Sequence, residues 1–258
     1  MLAWIARGLH KRIVTSRYPR RPEPLLPGFR ARVEITDSEN AASELEEVCP
    51  TGAIRVSNDD RRLSLDRGRC ILCGACVASE PERFRFSSEY ESAARQRGGI
   101  VIGAHVQREL EAPRLPLGER ARPLRRSIHI RHVDAGSDGA EEWEIQALTN
   151  PYYDMQRLGL YFTLSPRHAD ILLVTGGVTN SMAEPLRRSY EVMPEPKAVV
   201  AAGSDACSGG FAKGDENAGV VDQVLPVDVY VPGSPPSPIA LLHGLLLAAG
   251  IVGEEAAA

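Results

Sequence analysis

Apolar positions recur along this chain with three different rhythms. Near the N-terminus Leu2, Ile5, Ala6 and Leu9 follow helical spacing, with Arg7, Lys11 and Arg12 elsewhere, which predicts a short amphipathic helix. Further along, Gly52-Ala-Ile-Arg-Val and Arg62-Leu-Ser-Leu-Asp read as short strands around the turn Ser57-Asn-Asp-Asp. The second half then changes character. Ile128-His-Ile-Arg-His-Val-Asp alternates, whereas Ile171-Leu-Leu-Val-Thr-Gly and Ala198-Val-Val-Ala-Ala-Gly are continuous apolar runs ending in glycine, as expected of parallel strands buried on both faces. Between those runs Ala183 to Met193 predicts a helix with Pro185 in its first turn. Val224 to Gly233 predicts a further strand and Pro238 to Ala249 a closing helix. Strand and helix in alternation point to a parallel α/β layer fold.

Punctuation divides the chain into three zones. Residues 1–27 form a basic, proline-punctuated arm, residues 28–118 carry a cysteine cluster, and residues 119–258 carry the α/β pattern. Pro113 to Pro123, with Pro116, Gly118 and several arginines, reads as a linker. Two readings of the arm stay open: a surface segment docked on its own protein, or a tether to a membrane-embedded partner or anionic lipid headgroups.

Charge and composition narrow the function classes. A net charge of −4 and an aromatic content of 5% argue against nucleic acid as the main partner. No apolar run reaches the roughly 18–20 residues that a bilayer requires. The best candidate, Ile239 to Val252, is short and broken by His243 and Gly244. The N-terminus lacks the pattern of a secretory signal, so the expected location is cytoplasmic, where thiols stay reduced.

The cysteines carry the chemistry. Cys70-Ile-Leu-Cys73-Gly-Ala-Cys76 is a C-x2-C-x2-C loop, a spacing that lets three thiolates each reach one iron of a cubane. In two-cluster bacterial ferredoxins a fourth cysteine follows and ligates the other cluster. Here that position is Glu80, ahead of Pro81. Upstream, Cys49-Pro50-Thr-Gly-Ala-Ile has the form of the end of a first such motif, whose leading positions hold Glu39, Ala42 and Leu45. The two losses match, leaving one complete donor set: Cys49, Cys70, Cys73 and Cys76. One [4Fe–4S] cluster is the expected cofactor, with a structural zinc site as the alternative.

The second half has its own resemblance. His132-Val-Asp-Ala-Gly-Ser, Glu144-Ile-Gln-Ala-Leu-Thr-Asn-Pro-Tyr-Tyr-Asp, Ser165-Pro-Arg-His-Ala-Asp and Pro226-Val-Asp-Val-Tyr-Val-Pro-Gly resemble the small subunit of membrane-bound, energy-converting [NiFe] hydrogenases of the formate hydrogenlyase type. That subunit is related to the quinone-site subunit of respiratory complex I. The first half resembles the family's ferredoxin-like partner, with Ile13-Val-Thr-Ser-Arg-Tyr-Pro among the shared residues. The resemblance implies a ferredoxin-like domain followed by a flavodoxin-like domain, α/β plus α+β in class. It also implies a hydrogenase-like or complex I-like large subunit and membrane-embedded ion-translocating subunits as partners. The family places a quinone site at a subunit interface. The expected position is peripheral, on the inner face of the cell membrane.

One part of the resemblance fails. The family's flavodoxin-like domain holds its own cluster, and this chain places Ser137, Ala140, Asp205 and Ser234 at the four ligand positions. No cluster is expected there. Cys207, two residues past the expected third ligand, reads as a small buried residue. His132 and Asp134 read as remnants of the lost site's surroundings, and Arg167 to Asp170 as a strand cap or interface segment. Two functions stay open: an electron-transfer subunit, or a docking subunit with no through-going electron path.

Overall fold

The computed structural model describes residues 2–11, 14–59, 61–103, 114–120, 127–210 and 217–253. The first ten of these form helix α1 (Leu2–Lys11), with Ile5 and Leu9 exposed. Next come β1 (Arg32–Ile35), α2 (Leu45–Val48), β2 (Ile54–Val56), β3 (Leu63–Asp66), α3 (Ala75–Ser79), β4 (Phe84–Ser87) and β5 (Val101–Gly103). β1 pairs antiparallel with β4, and β2, β3 and β5 form a second antiparallel sheet. The pairing Ile54↔Leu65 puts alternate apolar residues on one face. Val33, Leu45, Ile54, Leu63, Leu65 and Phe84 make the core between the two sheets.

The second half runs through α4 (Leu117–Arg120), β6 (Ile128–Asp134), α5 (Ala140–Ala147), β7 (Leu160–Phe162) and β8 (Ile171–Thr175). It continues with β9 (Val178–Thr179), α6 (Asn180–Glu191), β10 (Ala198–Ala202), α7 (Ser204–Ser208), β11 (Asn217–Gly219), α8 (Val221–Val224), β12 (Val229–Val231) and α9 (Pro238–Ala249). Five strands form one parallel sheet in the order β7-β6-β8-β10-β12. Counted from the first strand of this half, the order is 2-1-3-4-5, that of flavodoxin-like doubly wound folds. β8 and β10 are buried at every residue, as their unbroken apolar runs require. The short β9 and β11 pair with each other outside the main sheet.

Local expectations held for several elements and shifted for others. α9 has the expected bounds, Ser237 caps it by accepting the Ala240 N–H, and all twelve of its residues are buried. Among the described residues no helix is long and apolar enough to cross a membrane. α6 begins three residues earlier than Ala183 because Thr179 serves as its N-cap. Pro185 therefore sits in the second turn, where its missing N–H costs the helix a hydrogen bond. The strand expected from Val224 to Gly233 is confined to Val229–Val231, and Val221–Val224 is a helical turn. Part of the expected linker is helical: α4 holds Leu117 fully buried, and Pro116 packs near Gly250 at the end of α9. Pro113 and Pro123, like Arg12 and Asp60, lie outside the described residues.

The two halves share their cores. Tyr18, Tyr90, Ala93 and Leu117 pack with α9 on one face of the parallel sheet, while Ala94 and Ile100 pack with Leu172 and Val199 on the other. Ala94 and Tyr230 exchange backbone hydrogen bonds of 3.0 and 2.8 Å, so residues from the first half cover the open edge at β12. In the arm, the Ser16 N–H donates to the Tyr152 carbonyl at 2.8 Å and Arg157 donates to the Ser16 carbonyl at 2.9 Å.

His243 is an anomaly in this core. It is 1% exposed on α9, and neither ring nitrogen has a hydrogen-bond partner among the described residues. Burial holds it below its usual pKa, so it is neutral in the folded state. An unsatisfied buried polar group costs about 1–3 kcal/mol. His243→Leu is therefore expected to raise unfolding stability by about that amount, measured by urea denaturation at pH 7.

Candidate metal centre

Two loops bring four thiols together. Cys49 ends α2 in an extended conformation, and the left-handed Gly52 (φ 61°) turns the chain back so that the Ala53 N–H donates to Cys49 Sγ at 3.2 Å. Cys70 follows the turn after β3, where its N–H donates to the Arg67 carbonyl. Leu72 (φ 55°) and Gly74 (φ 81°) are both left-handed and curl the loop before α3 begins. A Cβ on Gly74 would meet the Phe86 ring at 3.0 Å, so this position needs glycine. Cys76 lies in the first turn of α3. All four cysteines line one cavity, floored by Val33, Ile54 and Leu65. Cys73 is exposed at its rim, and the other three are partly buried.

Among the described residues, no other ionisable side chain lines this cavity. Glu80, at the former fourth-cysteine position, caps α3 and faces Arg83 at 3.9 Å. Glu39 and Ala42 are exposed and Leu45 is in the core, so none of the three joins the thiols.

The electrostatics suit a shared cationic core. Burial pushes the Cys70 thiol up to about 11, and the other three cysteines add to that rise. Cys76 is raised by burial and by its cysteine neighbours Cys73 and Cys49. Burial also acts to raise Cys49, but the Thr51 hydroxyl and backbone N–H groups outweigh it and bring this thiol below its ordinary value. Four thiolates so close repel one another, and a bound iron–sulfur core would remove that penalty. The donors lining this cavity are four thiols with no imidazole or carboxylate among them, a set whose chemistry fits an iron–sulfur cluster.

The cysteine loop lies against the second half. Cys70 and Leu72 share a pocket with Arg32, Arg67, Pro232 and Gly233. Arg97 ties the two halves together: it forms two hydrogen bonds to Asp66, of 2.9 and 2.6 Å, and its Nε donates to the Cys207 carbonyl at 3.1 Å.

The expected remnant positions fall on segments that follow β6, β10 and β12. Ser137 lies in the turn after β6, Asp205 in α7 and Ser234 after β12; the Ser204 N–H donates to the Gly233 carbonyl at 2.7 Å, joining the last two loops. Ser234 itself is exposed. Ala140 opens α5 with no side-chain donor of its own, and the next residue, Glu141, supplies the carboxyl that Asp205 and Asp138 act on. Glu141 Oε1 lies 2.4 Å from where a Gly203 Cβ would be. The sequence reading missed Glu141 and Asp138. Moving the expected C-x-x-C pair one residue along, to 138 and 141, would have found both.

Other singled-out residues have structural roles. Cys207 is 1% exposed, its thiol directed at the Ala201 and Val231 carbonyls and pushed up to about 12 by burial. Asp134 accepts the N–H groups of Gly136 and Ser137, and Asp170 accepts the His129 N–H at 2.7 Å.

Comparison with known proteins places this geometry. Residues 139–248 match the family described as NADH ubiquinone oxidoreductase, 20 Kd subunit. Formate hydrogenlyase subunit 7 of Escherichia coli (strain K12) is 36% identical over 162 residues, covering 62% of this chain and 62% of that protein. The probable membrane-bound hydrogenase subunit mbhJ of Pyrococcus furiosus is 46% identical over 124 residues, covering 48% of this chain and 74% of that protein. A subunit of the NADH-quinone oxidoreductase of Desulfovibrio desulfuricans is 46% identical over 112 residues, covering 43% of this chain and 61% of that protein. This chain thus spans less than two thirds of the formate hydrogenlyase and NADH-quinone oxidoreductase relatives. The family match runs from the turn before α5 almost to the end of α9, and the chain belongs to the NADH ubiquinone oxidoreductase 20 Kd subunit family, alongside hydrogenase subunits.

Proposed function

We propose that this chain is an iron–sulfur electron-transfer subunit of a membrane-associated complex of the hydrogenase and complex I kind. In this reading residues 28–118 are a ferredoxin-like domain that holds one [4Fe–4S] cluster on Cys49, Cys70, Cys73 and Cys76. Residues 119–258 dock a large subunit and membrane-embedded ion-translocating subunits at the inner face of the membrane. The observation that carries the reading is the convergence of these four thiols, from two separate loops, on one cavity. A cluster bound there supplies one-electron transfer. The chain's own residues hold the thiolates, direct N–H donors at Cys49, and exclude water with Val33, Ile54 and Leu65. Arg32 and Arg67 stand beside Cys70 and offset negative charge there.

A docking role with no onward electron path is the second reading. It is favoured by the second half's own sequence, where Ser137, Ala140, Asp205 and Ser234 stand at the expected thiolate positions. The two readings separate in the complex isolated anaerobically through a tag on this chain. Electron transfer is expected to show a paramagnetic signal that appears on adding reductant and decays on adding the complex's acceptor. A cluster that stays in one redox state throughout would support the docking reading.

A further inference from the structure

The turn from β6 into α5 gathers a hydrogen-bonded set of titratable groups. Ser137 Oγ lies 2.6 Å from Glu142 Oε2 and 3.2 Å from Glu141 Oε2, and it accepts the Gly139 N–H at 2.9 Å. A serine hydroxyl has one proton to donate and two lone pairs. It can satisfy only one carboxylate. With both glutamates ionised, the second would face a Ser137 lone pair, which is costly for the buried Glu141. One proton on the pair closes the count: Ser137 donates to one glutamate, accepts from Gly139 and accepts from the other glutamate.

Their neighbours decide which glutamate is neutral. Glu142 Oε1 also accepts the Thr175 hydroxyl at 2.6 Å. His132 Nε2 stands 2.9 Å from Thr175 Oγ1 and 3.3 Å from Glu142 Oε1, where an Nε2–H tautomer donates. Glu142 is thus ringed by three side-chain donors, Ser137, Thr175 and His132. Arg131 and Asp134 also act on His132, with opposite signs. Glu141 is held less well, by its own backbone N–H and by its share of Ser137. It is 3% exposed, and the charged groups acting on it are Asp205 from α7 and Asp138 from its own turn, both anionic.

We propose that this hydrogen-bonded set is a proton site in which Glu141 stores one proton and passes it through Ser137 to Glu142. In the transfer the Glu141 O–H breaks as its proton bonds to Ser137 Oγ, and Ser137 gives its own proton to Glu142 Oε2. The net charge of the two glutamates stays at −1. The Glu142 and His132 side chains are each 23% exposed, so the relay opens to the surface at that end. The relay depends on these hydrogen bonds alone and holds whether or not the first half transfers electrons.

The folded-state acidity agrees. Burial, then repulsion from Asp205 and Asp138, raises Glu141 from an ordinary 4.5 to about 7. Between those values the folded chain keeps a proton that the unfolded chain releases, so this contribution is full below 4.5 and is lost as pH rises through about 7. Glu141→Gln is expected to remove that slope from the stability–pH curve.

The direct test is an infrared pH titration of the full chain, following the carbonyl band of a protonated carboxylic acid. A band with a midpoint near 7 is expected in the wild type and absent in Glu141→Gln. In Glu142→Gln the Ser137 hydroxyl is free to donate to Glu141, so the midpoint is expected to fall by about one unit or more. That variant keeps the proposal testable if Glu141→Gln fails to fold. A wild type with no titrating acid band near neutrality, a band that survives in Glu141→Gln, or an unchanged midpoint in Glu142→Gln would overturn it.

Discussion

Cys70→Ala is expected to strip the protein of nearly all its iron and to destabilise the first half markedly. Cys70 is the most enclosed of the four thiols and the one whose acidity the other three most plainly affect. Its loss leaves three donors for a four-donor group, and the binding free energy of such a group is part of the folding free energy of the module that holds it. Val33, Leu65 and Ile54 would then floor a cavity with nothing in it to pack against. Cys207→Ala is the control. That thiol is buried in the other core, bonded weakly to carbonyls, so the substitution should cost about 1 kcal/mol of packing and leave iron unchanged. Iron and protein assays on both variants, purified anaerobically, decide the matter. Equal iron in Cys70→Ala and wild type would remove Cys70 from the donor set.

Arg97→Leu is the second large effect. The Arg97 guanidinium makes two hydrogen bonds to Asp66 and a third to the Cys207 carbonyl, with side-chain exposures of only 20% and 16% for the ion pair. Deleting it leaves Asp66 with the Gly68 N–H and a longer contact to Arg69 at 3.3 Å. Breaking one partner of a buried pair costs about 3–5 kcal/mol, and partial exposure lowers the expectation to about 2–3 kcal/mol. It also removes a tie between the cysteine-bearing half and α7. Urea denaturation is expected to show that loss. A change under about 0.5 kcal/mol would mean that the pair behaves as a surface ion pair.

How much of this was legible in the sequence follows from what each element depends on. β8, β10 and α9 were readable because burial on all sides demands unbroken apolar runs, and those runs leave little room for another assignment. That Cys70, Cys73 and Cys76 would line one cavity was readable because their spacing is a local constraint. The α4 segment was not: Pro116, Leu117 and Gly118 look like linker until Gly250 and the end of α9 pack against them. The coverage of the β12 edge by Ala94 depends on pairing between residues far apart in sequence. α6 carried a usable signal in Thr179, but the apolar spacing placed its start three residues late. The second-half set was half legible. Asp205 and Ser137 were identified, yet Glu141 was missed, because the expected cysteine pair was placed one residue early, at Ser137 and Ala140.

The most direct check of the account is the metal and sulfide content of the full chain purified without oxygen. The expected result is about four irons and about four acid-labile sulfides per chain, with no zinc. One zinc with no sulfide would contradict the cluster at Cys49, Cys70, Cys73 and Cys76, and about eight irons would contradict the loss of the second cluster's ligands in the second half.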